Sequence, residues 1–135
     1  MKERFVLDAS ALLSILLDEP GQARVNQIVE RAQIHAVNLA EVIARLVRVG
    51  MPPEKAIEIL AGLYLEVDEG FSTARAEFCG TLLGTRRDLG LSLGDCGCLA
   101  AAAVPGAVAG TADRRWKELD GTAIGGAAIR VELIR

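Results

Sequence analysis

Short apolar segments alternate with longer segments of helical periodicity along this chain, and no other feature constrains the fold as strongly. The alternation is typical of parallel sheets, because consecutive parallel strands must be joined by crossover connections, which are usually helices. It predicts an α/β fold, a three-layer α/β/α sandwich with a mostly parallel central sheet of about five strands. We expect these strands at 5–7, 34–37, 65–67, 107–110 and 129–133.

Polar residues at the predicted helix starts indicate where the helices begin. Ser10, Asn38, Ser72 and Ser92 each precede apolar residues at helical spacing. Side chains of these types accept hydrogen bonds from the free N–H groups of a first helical turn. Asn38 is followed three residues later by Glu41, which is the spacing of a capping box.

The length and hydrophobic content set the class of protein. The chain has 135 residues, of which 51% are hydrophobic, so we expect one folded domain over 1–135 and exclude intrinsic disorder. No apolar run approaches the ~20 residues of a membrane-spanning helix. The start of the chain shows no secretory signal pattern. We therefore expect a cytoplasmic protein without a membrane partner.

The bulk charge argues against a nucleic-acid partner. The formal net charge is −3 and aromatic residues are 4%. Proteins that bind duplexes are usually basic, and proteins that bind single strands usually offer aromatic rings for stacking. This argument concerns averages only, so the local placement of charge can reverse it.

The three cysteines are Cys79, Cys96 and Cys98. An odd number without an export signal argues against a disulfide framework and for a reducing compartment. Cys96 and Cys98 form a C-x-C pair, but a closed zinc site needs four ligands, and the only histidine, His35, is far away in sequence. We expect buried thiols and assign His35 no catalytic role.

Four acidic residues occupy equivalent places relative to the predicted strands. Asp8 directly follows the first strand, and Asp113 follows the fourth. Glu41 lies one turn into the helix after the second strand, and Asp95 opens a helix of small residues. Ligands collect beyond the carboxyl ends of parallel strands, so we expect the four to converge there. Clustered carboxylates repel one another unless a cation offsets the charge, and Mg²⁺ and Mn²⁺ prefer such oxygen ligands.

Each acid also has an ordinary structural interpretation. Asp8 could solubilise a loop or cap a helix, and Glu41 could complete the capping box with Asn38. Asp95 and Asp113 could be caps as well, since negative charge is favourable at a helix N-terminus. Only the joint placement of all four favours a metal site that activates water for attack on a phosphodiester.

Four motifs carry a resemblance to a known family. They are FVLDASAL at 5–12, NLAEV at 38–42, LSLGDC at 91–96 and TADRRW at 111–116. In this order they resemble the successive motifs of PIN-domain ribonucleases, and most closely those of the VapC-type toxins of bacterial toxin–antitoxin pairs. The resemblance covers nearly the whole chain.

The resemblance implies a site, a cofactor and partners. Asp8, Glu41, Asp95 and Asp113 would be the catalytic, metal-binding quartet, and Ser10 and Thr111 would support the first and fourth acids. The implied activity is Mg²⁺-dependent cleavage of RNA, with Mn²⁺ as a possible substitute. The implied fold is a five-stranded parallel sheet between helices. The implied partners are an antitoxin, whose carboxy-terminal segment would enter a groove between apolar helices, and a second copy in a homodimer.

Basic residues beside the acids could hold RNA. The candidates are Arg86, Arg87, Arg114, Arg115 and Lys117, although any one of them could be part of an ordinary solvated surface. We expect Trp116 to be a core residue rather than a base-stacking platform. Gly97 lies where a larger apolar residue is expected, which would loosen local packing.

Two other functions compete with the nuclease. One is a PIN-like module that binds a protein and has no nuclease activity; the apolar helices around 12–17 and 57–64 favour it, and a complete acidic quartet weighs against it. The other is phosphoryl transfer on Asp8. That chemistry needs a second acid two residues later or a lysine directly after a late strand, but Ser10 occupies the first position and no lysine directly follows 107–110.

Overall fold

A computed structural model describes residues 2–135. Its strands and helices alternate through most of the chain. The strands are β1 (Phe5–Leu7), β2 (Ala32–His35), β3 (Glu66–Asp68), β4 (Val108–Thr111), β5 (Ala123–Ile124), β6 (Ala127–Ala128) and β7 (Val131–Leu133). The helices are α1 (Ala9–Leu16), α2 (Gln22–Ile28), α3 (Ala36–Arg48), α4 (Pro53–Gly62), α5 (Thr73–Thr85) and α6 (Leu93–Ala103). Three short 3₁₀ helices lie at Val29–Arg31, Arg87–Leu89 and Arg114–Leu119.

The central sheet has five parallel strands in the order β3-β2-β1-β4-β7. Leu7 of β1 is in register with Ile34 of β2 on one side and with Gly110 of β4 on the other. The carboxyl ends of these three neighbouring strands therefore lie side by side. This arrangement confirms the predicted α/β class and the parallel five-stranded sheet.

Alternating side chains of β1 divide the core into two layers. Phe5 and Leu7 pack with Val25 and Ile28 of α2 on one face of the sheet. Val6, between them, packs on the other face with Leu82 of α5 and with α6. Successive strand residues point to opposite faces, so a strand that is buried on both sides reads as a continuous apolar run. The sequence Phe5–Leu7 is such a run.

The start of α3 differs from the sequence expectation. The second strand ends at His35 rather than at Val37, and His35 is the N-cap residue: its Nδ1 accepts a hydrogen bond from Val37 N at 3.2 Å. Asn38 therefore lies inside the helix, and the predicted capping box with Glu41 is wrong. An imidazole rarely serves as a cap acceptor, so cap preferences favoured the asparagine.

The cap of α1 also differs. Asp8, not Ser10, is the N-cap residue, and its side chain accepts a hydrogen bond from Ala11 N. Ser72 and Ser92 cap α5 and α6 as predicted. The last strand is shorter than expected, at Val131–Leu133.

The glycine-rich segment before the last strand forms a small antiparallel hairpin of β5 and β6. Gly125 and Gly126 connect the two strands, with φ values of +56° and +83°. A two-residue turn with both central residues in the left-handed region suits glycine, because glycine has no Cβ to clash there. This hairpin is not among the elements predicted from the sequence.

Several sequence expectations about the core are confirmed. Trp116 is completely buried, and Cys79, Cys96 and Cys98 are buried free thiols. Gly97 does not loosen the packing, because a Cβ there would lie 3.4 Å from Nδ1 of His35, so the imidazole fills the space. No helix within residues 2–135 is long and apolar enough to cross a membrane.

Candidate active site

Five residues of the predicted site line a single cleft at the carboxyl edge of the sheet. Asp8 follows β1, Asp113 follows β4, Glu41 lies on α3, Asp95 lies in the first turn of α6, and Ser10 lies in the first turn of α1. The cleft has a volume of about 300 Å³. We call it the acidic cleft.

Asp8 is the most buried acid of the cleft, with 6% of its surface exposed. Its Oδ1 accepts hydrogen bonds from the Ser10 hydroxyl at 2.7 Å and from Ala11 N at 2.9 Å. Its Oδ2 accepts a bond from the Thr111 hydroxyl at 2.5 Å. Burial raises the pKa of Asp8 to about 6, and the hydrogen bonds offset part of that rise, while the charge of Asp95 adds to it.

The two hydroxyls that hold Asp8 also organise the segment before Asp113. Ser10 Oγ accepts a hydrogen bond from Ala112 N at 2.9 Å. Thr111 Oγ1 accepts one from Asp113 N at 3.0 Å. Ser10 and Thr111 thus join the end of β1 to the end of β4.

Glu41 is held against the first turn of α6. Asn38 Nδ2 donates to Glu41 Oε1 at 2.9 Å and to the Gly94 carbonyl at 3.2 Å. Because both partners are acceptors, the Asn38 amide must turn its NH₂ group toward them. Its Oδ1 is then buried without a hydrogen-bond partner among the described residues. A Cβ at Gly94 would lie 2.5 Å from Glu41 Oε1, so only glycine leaves room for this carboxylate.

Asp95 takes part in a reciprocal cap of α6. Its backbone N–H donates to Ser92 Oγ at 3.0 Å, and its Oδ2 accepts from Ser92 N at 2.8 Å. This capping box fixes the carboxylate at the mouth of the cleft. Asp95 therefore combines a structural role with its place in the cleft.

Asp113 is paired with an arginine. Its carboxylate accepts hydrogen bonds from Arg115 Nε at 3.0 Å and from Arg115 Nη2 at 2.6 Å. This pairing lowers the pKa of Asp113 below its ordinary value. Arg115 also donates from Nη1 to the Leu89 carbonyl at 2.7 Å, so protein acceptors occupy most of its donors.

Cys98 of α6 is a buried residue whose pKa responds to the acids of the cleft. Its buried thiol donates to the Val6 carbonyl at 3.7 Å. Burial raises the pKa of Cys98 well above its usual range, and the negative charges of Asp8, Asp95 and Glu41 raise it further. Three of the four predicted acids therefore raise the pKa of the same buried thiol.

The four predicted acids each accept hydrogen bonds from protein donors. In this arrangement, no three Asp, Glu, His or Cys side chains among residues 2–135 are grouped closely enough to hold one metal ion. The donors present are hard oxygen atoms: the carboxylates of Asp8, Glu19, Glu41, Asp95 and Asp113 line the cleft, and the Asn38 amide oxygen has no hydrogen-bond partner among the described residues.

The basic residues predicted to bind RNA lie outside the lining of the acidic cleft. Arg86 pairs with Asp88 at 2.9 Å and with Glu118 at 3.3 Å, and Arg115 pairs with Asp113. Arg87, Arg114 and Lys117 are exposed in the same region.

Sequence reasoning missed other residues of the cleft. The remaining lining residues are Ala9, Leu13, Glu19, Asn38, Arg45 and Arg135. Arg45 could have been found from its spacing, because it lies one helical turn after Glu41. Arg135 gives no sequence signal, since its place depends on how β7 joins the sheet.

A second depression, which we call the apolar groove, lies on the face that carries α1, α3 and α4. Its volume is about 240 Å³, and its lining includes Leu12, Leu39, Ile57, Leu60 and Tyr64. Ile57 is 56% exposed and Tyr64 is 93% exposed. The helices that the sequence identified as unusually apolar thus border an open hydrophobic surface.

Comparison with known proteins connects this geometry to a family. The family model of the PIN domain matches residues 5–122, which include all four acids and both supporting hydroxyls. The chain belongs to the PIN-domain family. PIN domains are generally nucleases, which agrees with a carboxylate-lined cleft at the edge of the sheet.

Solved structures share the fold of this PIN domain. A DNA-bound VapBC from Salmonella typhimurium is 22% identical with a TM-score of 0.67, covering 96% of this chain and 98% of that chain. VapBC-5 from Mycobacterium tuberculosis, a member of a toxin–antitoxin family, is 21% identical with a TM-score of 0.63, covering 98% and 99%. VapBC-1 from nontypeable Haemophilus influenzae is 15% identical with a TM-score of 0.67, covering 96% and 97%. No curated protein sequence matches this PIN domain.

Proposed function

We propose that this PIN domain is a metal-dependent endoribonuclease and the VapC-type toxin of a VapBC pair, acting in the cytoplasm. The observation that carries the proposal is the acidic cleft, in which Asp8, Glu41, Asp95 and Asp113 lie at the carboxyl edge of the sheet. The membership of the PIN family supports nuclease chemistry, and the similarity in fold to VapBC proteins supports the toxin role.

The type of donor, carboxylate oxygen, fits a hard divalent cation, although no three of the described side chains are grouped closely enough to hold one ion as they stand. Asp8, Glu41, Asp95 and Asp113 would hold Mg²⁺, with Mn²⁺ as a substitute, because both ions prefer carboxylate oxygens. A bound divalent ion would supply an activated water and would neutralise negative charge on the scissile phosphate.

The protein's own residues prepare this site by fixing the acids. Ser10 and Thr111 hold the carboxylate of Asp8 from both sides. Asn38 holds Glu41 beside α6, where Gly94 leaves space for it. Such supporting bonds matter because catalytic groups must be held within a fraction of an ångström of their productive positions.

RNA would also contact the basic residues beside the cleft. Arg87, Arg114 and Lys117 are exposed, and Arg86 holds exposed salt bridges that a phosphate could replace. Arg115 would contact RNA only with the donors that Asp113 and the Leu89 carbonyl leave free. Phosphate contacts of this kind position a strand without reading its bases.

The apolar groove suits the antitoxin. An amphipathic segment buries its apolar face in such a groove, and Ile57, Leu60 and Tyr64 provide the complementary surface. We propose that the carboxy-terminal segment of the antitoxin binds here, that bound antitoxin obstructs the acidic cleft, and that the toxin is a homodimer. A complex that cleaves RNA as fast as the free toxin would contradict the obstruction.

The groove alone would also fit a PIN-like protein-binding module without nuclease activity. The four carboxylates weigh against this alternative, because uncharged side chains could cap the same helices without gathering like charges in one cleft.

The test is cleavage of RNA by the purified protein. We expect cleavage with Mg²⁺, loss of cleavage in EDTA, and recovery when Mg²⁺ or Mn²⁺ is added back. Purified protein that cleaves no RNA with either ion, while its thermal melt shows a cooperative fold, would favour the binding module. For the toxin role, we expect the gene immediately upstream to encode a small protein with a DNA-binding amino terminus that binds this chain.

A further inference from the structure

Two arginines line the acidic cleft, and neither belongs to the basic residues that the sequence singled out. Arg45 lies on α3, one helical turn after Glu41, and Arg135 follows β7. The cleft therefore contains one guanidinium group from α3 and another from the segment that follows β7, the edge strand beside β4.

Both arginines reach the same loop. Arg45 Nη2 lies 4.0 Å from Glu19 Oε2, and Arg135 Nη1 donates to the Pro20 carbonyl at 3.2 Å. Glu19 and Pro20 are adjacent in the connection between α1 and α2. The two guanidinium groups thus both contact the α1–α2 connection, and both line the cleft that holds the carboxylates.

Neither guanidinium is held tightly. The Arg45–Glu19 pair is at the outer limit of a salt bridge, and its side chains are 47% and 33% exposed, so it contributes little to stability. Arg135 makes one hydrogen bond to a neutral carbonyl. Arg115, by contrast, is bound to both oxygens of Asp113 and to the Leu89 carbonyl. Arg45 and Arg135 therefore keep donors that a phosphate can use in a bidentate manner.

We propose that Arg45 and Arg135 bind backbone phosphates of the RNA strand adjacent to the phosphate at the carboxylates. The proposal rests on the nuclease function proposed above and names the residues that hold its substrate. The lining of the cleft, as far as residues 2–135 define it, includes no aromatic ring on which a base could stack. The cleft therefore offers the strand phosphate contacts rather than aromatic stacking.

The experiment measures binding apart from cleavage. Asp95→Asn serves as the parent, since it removes a proposed metal ligand while an asparagine side chain can still accept the hydrogen bond from Ser92 N. A short fluorescein-labelled single-stranded RNA of mixed sequence is titrated with the parent, Arg45→Gln and Arg135→Gln over a range of KCl concentrations. We expect each arginine change to weaken binding about tenfold at low salt and to reduce the slope of log K against log[salt] by about 0.7, the value for one phosphate contact on a single strand.

Two matched variants separate phosphate binding from a structural role. Glu19→Gln breaks the pair with Arg45 but keeps the arginine, and we expect it to bind RNA more tightly because it removes a negative charge. If Arg45 acted only by holding the loop, Glu19→Gln would weaken binding as Arg45→Gln does. Arg48→Gln, an exposed position on the same helix outside the cleft, should match the parent.

The outcomes distinguish this proposal from the one it rests on. Unchanged affinity and salt slope in both arginine variants, with RNA cleavage by the wild type, would overturn phosphate binding alone. A wild type that does not cleave RNA, combined with weaker binding in both arginine variants, would overturn the nuclease and leave the phosphate contacts standing.

Discussion

The hydroxyl of Thr111 donates a hydrogen bond of 2.5 Å to Asp8 Oδ2 across 103 residues of sequence. Thr111 ends β4 and Asp8 follows β1, and these strands are neighbours in the sheet. The bond therefore fixes the buried carboxylate relative to the strand that leads to Asp113. Since it favours the charged carboxylate, it also opposes the rise in the pKa of Asp8 that burial causes.

Thr111→Val keeps the shape of this side chain and removes the donor. We expect a loss of about 1–2 kcal/mol in the free energy of unfolding, because a buried hydrogen bond to a carboxylate is lost. We expect the RNA cleavage rate to fall roughly 10- to 100-fold, the usual effect of removing a residue that supports a metal ligand. Thr85→Val, at an exposed threonine of α5, is the control and should change neither quantity measurably. Equal behaviour of the two variants would contradict the role of Thr111.

Gly94→Ala should separate activity from stability. The new Cβ would lie 2.5 Å from Glu41 Oε1, the end of a flexible side chain that can move at little cost. We expect the melting temperature to hold or rise, since alanine favours a helix by about 0.5–1 kcal/mol over glycine, while RNA cleavage falls at least about tenfold. Gly80→Ala, in α5 with no atom within 4 Å of its Cβ, should gain stability and keep full cleavage. Full cleavage by Gly94→Ala would show that Glu41 need not lie against α6.

Asp68 gives a prediction about stability and pH away from the cleft. Both of its oxygens accept hydrogen bonds from Arg75 at 2.8 Å, and this pairing lowers the pKa of Asp68 to about 2. Asp68→Asn should lower the free energy of unfolding by about 1–2 kcal/mol near neutral pH, between the values for exposed and buried ion pairs.

The sign of the pH dependence follows from the lowered pKa of Asp68. The stabilisation is fully present above the unfolded pKa of about 3.9 and is lost as the pH falls toward the folded pKa. Denaturant unfolding at several pH values should therefore show the difference between wild type and Asp68→Asn shrinking between about pH 4 and pH 2. The control is Glu66→Gln, on the same strand as Asp68. It removes an exposed salt bridge with Arg4 and should lower the free energy of unfolding far less. A difference that stays constant down to pH 2 would contradict the assignment.

The apolar groove predicts a defect in antitoxin binding. Ile57→Asp places a charge where an apolar partner side chain must be buried, so we expect the dissociation constant of the complex to rise at least about tenfold. Calorimetric titration with the purified antitoxin measures it, and circular dichroism checks the fold. Val104→Asp, at an equally exposed apolar residue outside the groove, is the matched control. Unchanged affinity in Ile57→Asp would place the antitoxin elsewhere.

The parts of the fold that could be predicted depend on local chemistry. The apolar run Phe5–Leu7 identifies a strand that is buried on both faces, and Ser92 with Asp95 identifies the start of α6. The convergence of the acids followed from one topological rule, that parallel strands end at the same edge. Such patterns can be recognised from residues that are neighbours in the sequence, without knowledge of long-range contacts.

The parts that could not be predicted depend on distant contacts. His35 caps α3 with one ring nitrogen, while its other ring nitrogen bonds to the Gly70 carbonyl at 2.8 Å, so a long-range contact fixes the imidazole. The sequence around Asn38 is typical of a helix cap, but Asn38 donates to the Gly94 carbonyl, 56 residues away. A contact at that distance cannot be recognised from the neighbouring residues. Arg135 could not be predicted for the same reason, since it reaches the cleft only after β7 has joined the sheet.

The local placement of charge also corrects the argument from bulk composition. A net charge of −3 averages over carboxylates gathered at one edge and over arginines that lie beside them or pair with them. The proposed nuclease therefore needs no basic total charge to hold an anionic strand.

The proposed nuclease needs the carboxylates of the acidic cleft in order to cleave RNA. This dependence is tested by the single-turnover rate of RNA cleavage in Mg²⁺ by the purified wild type, Asp8→Asn and Asp95→Asn, with each fold checked by thermal melting. We expect the wild type to cleave RNA and both variants to fall to background while they still melt cooperatively. Undiminished cleavage by both variants would show that these carboxylates do not carry the reaction.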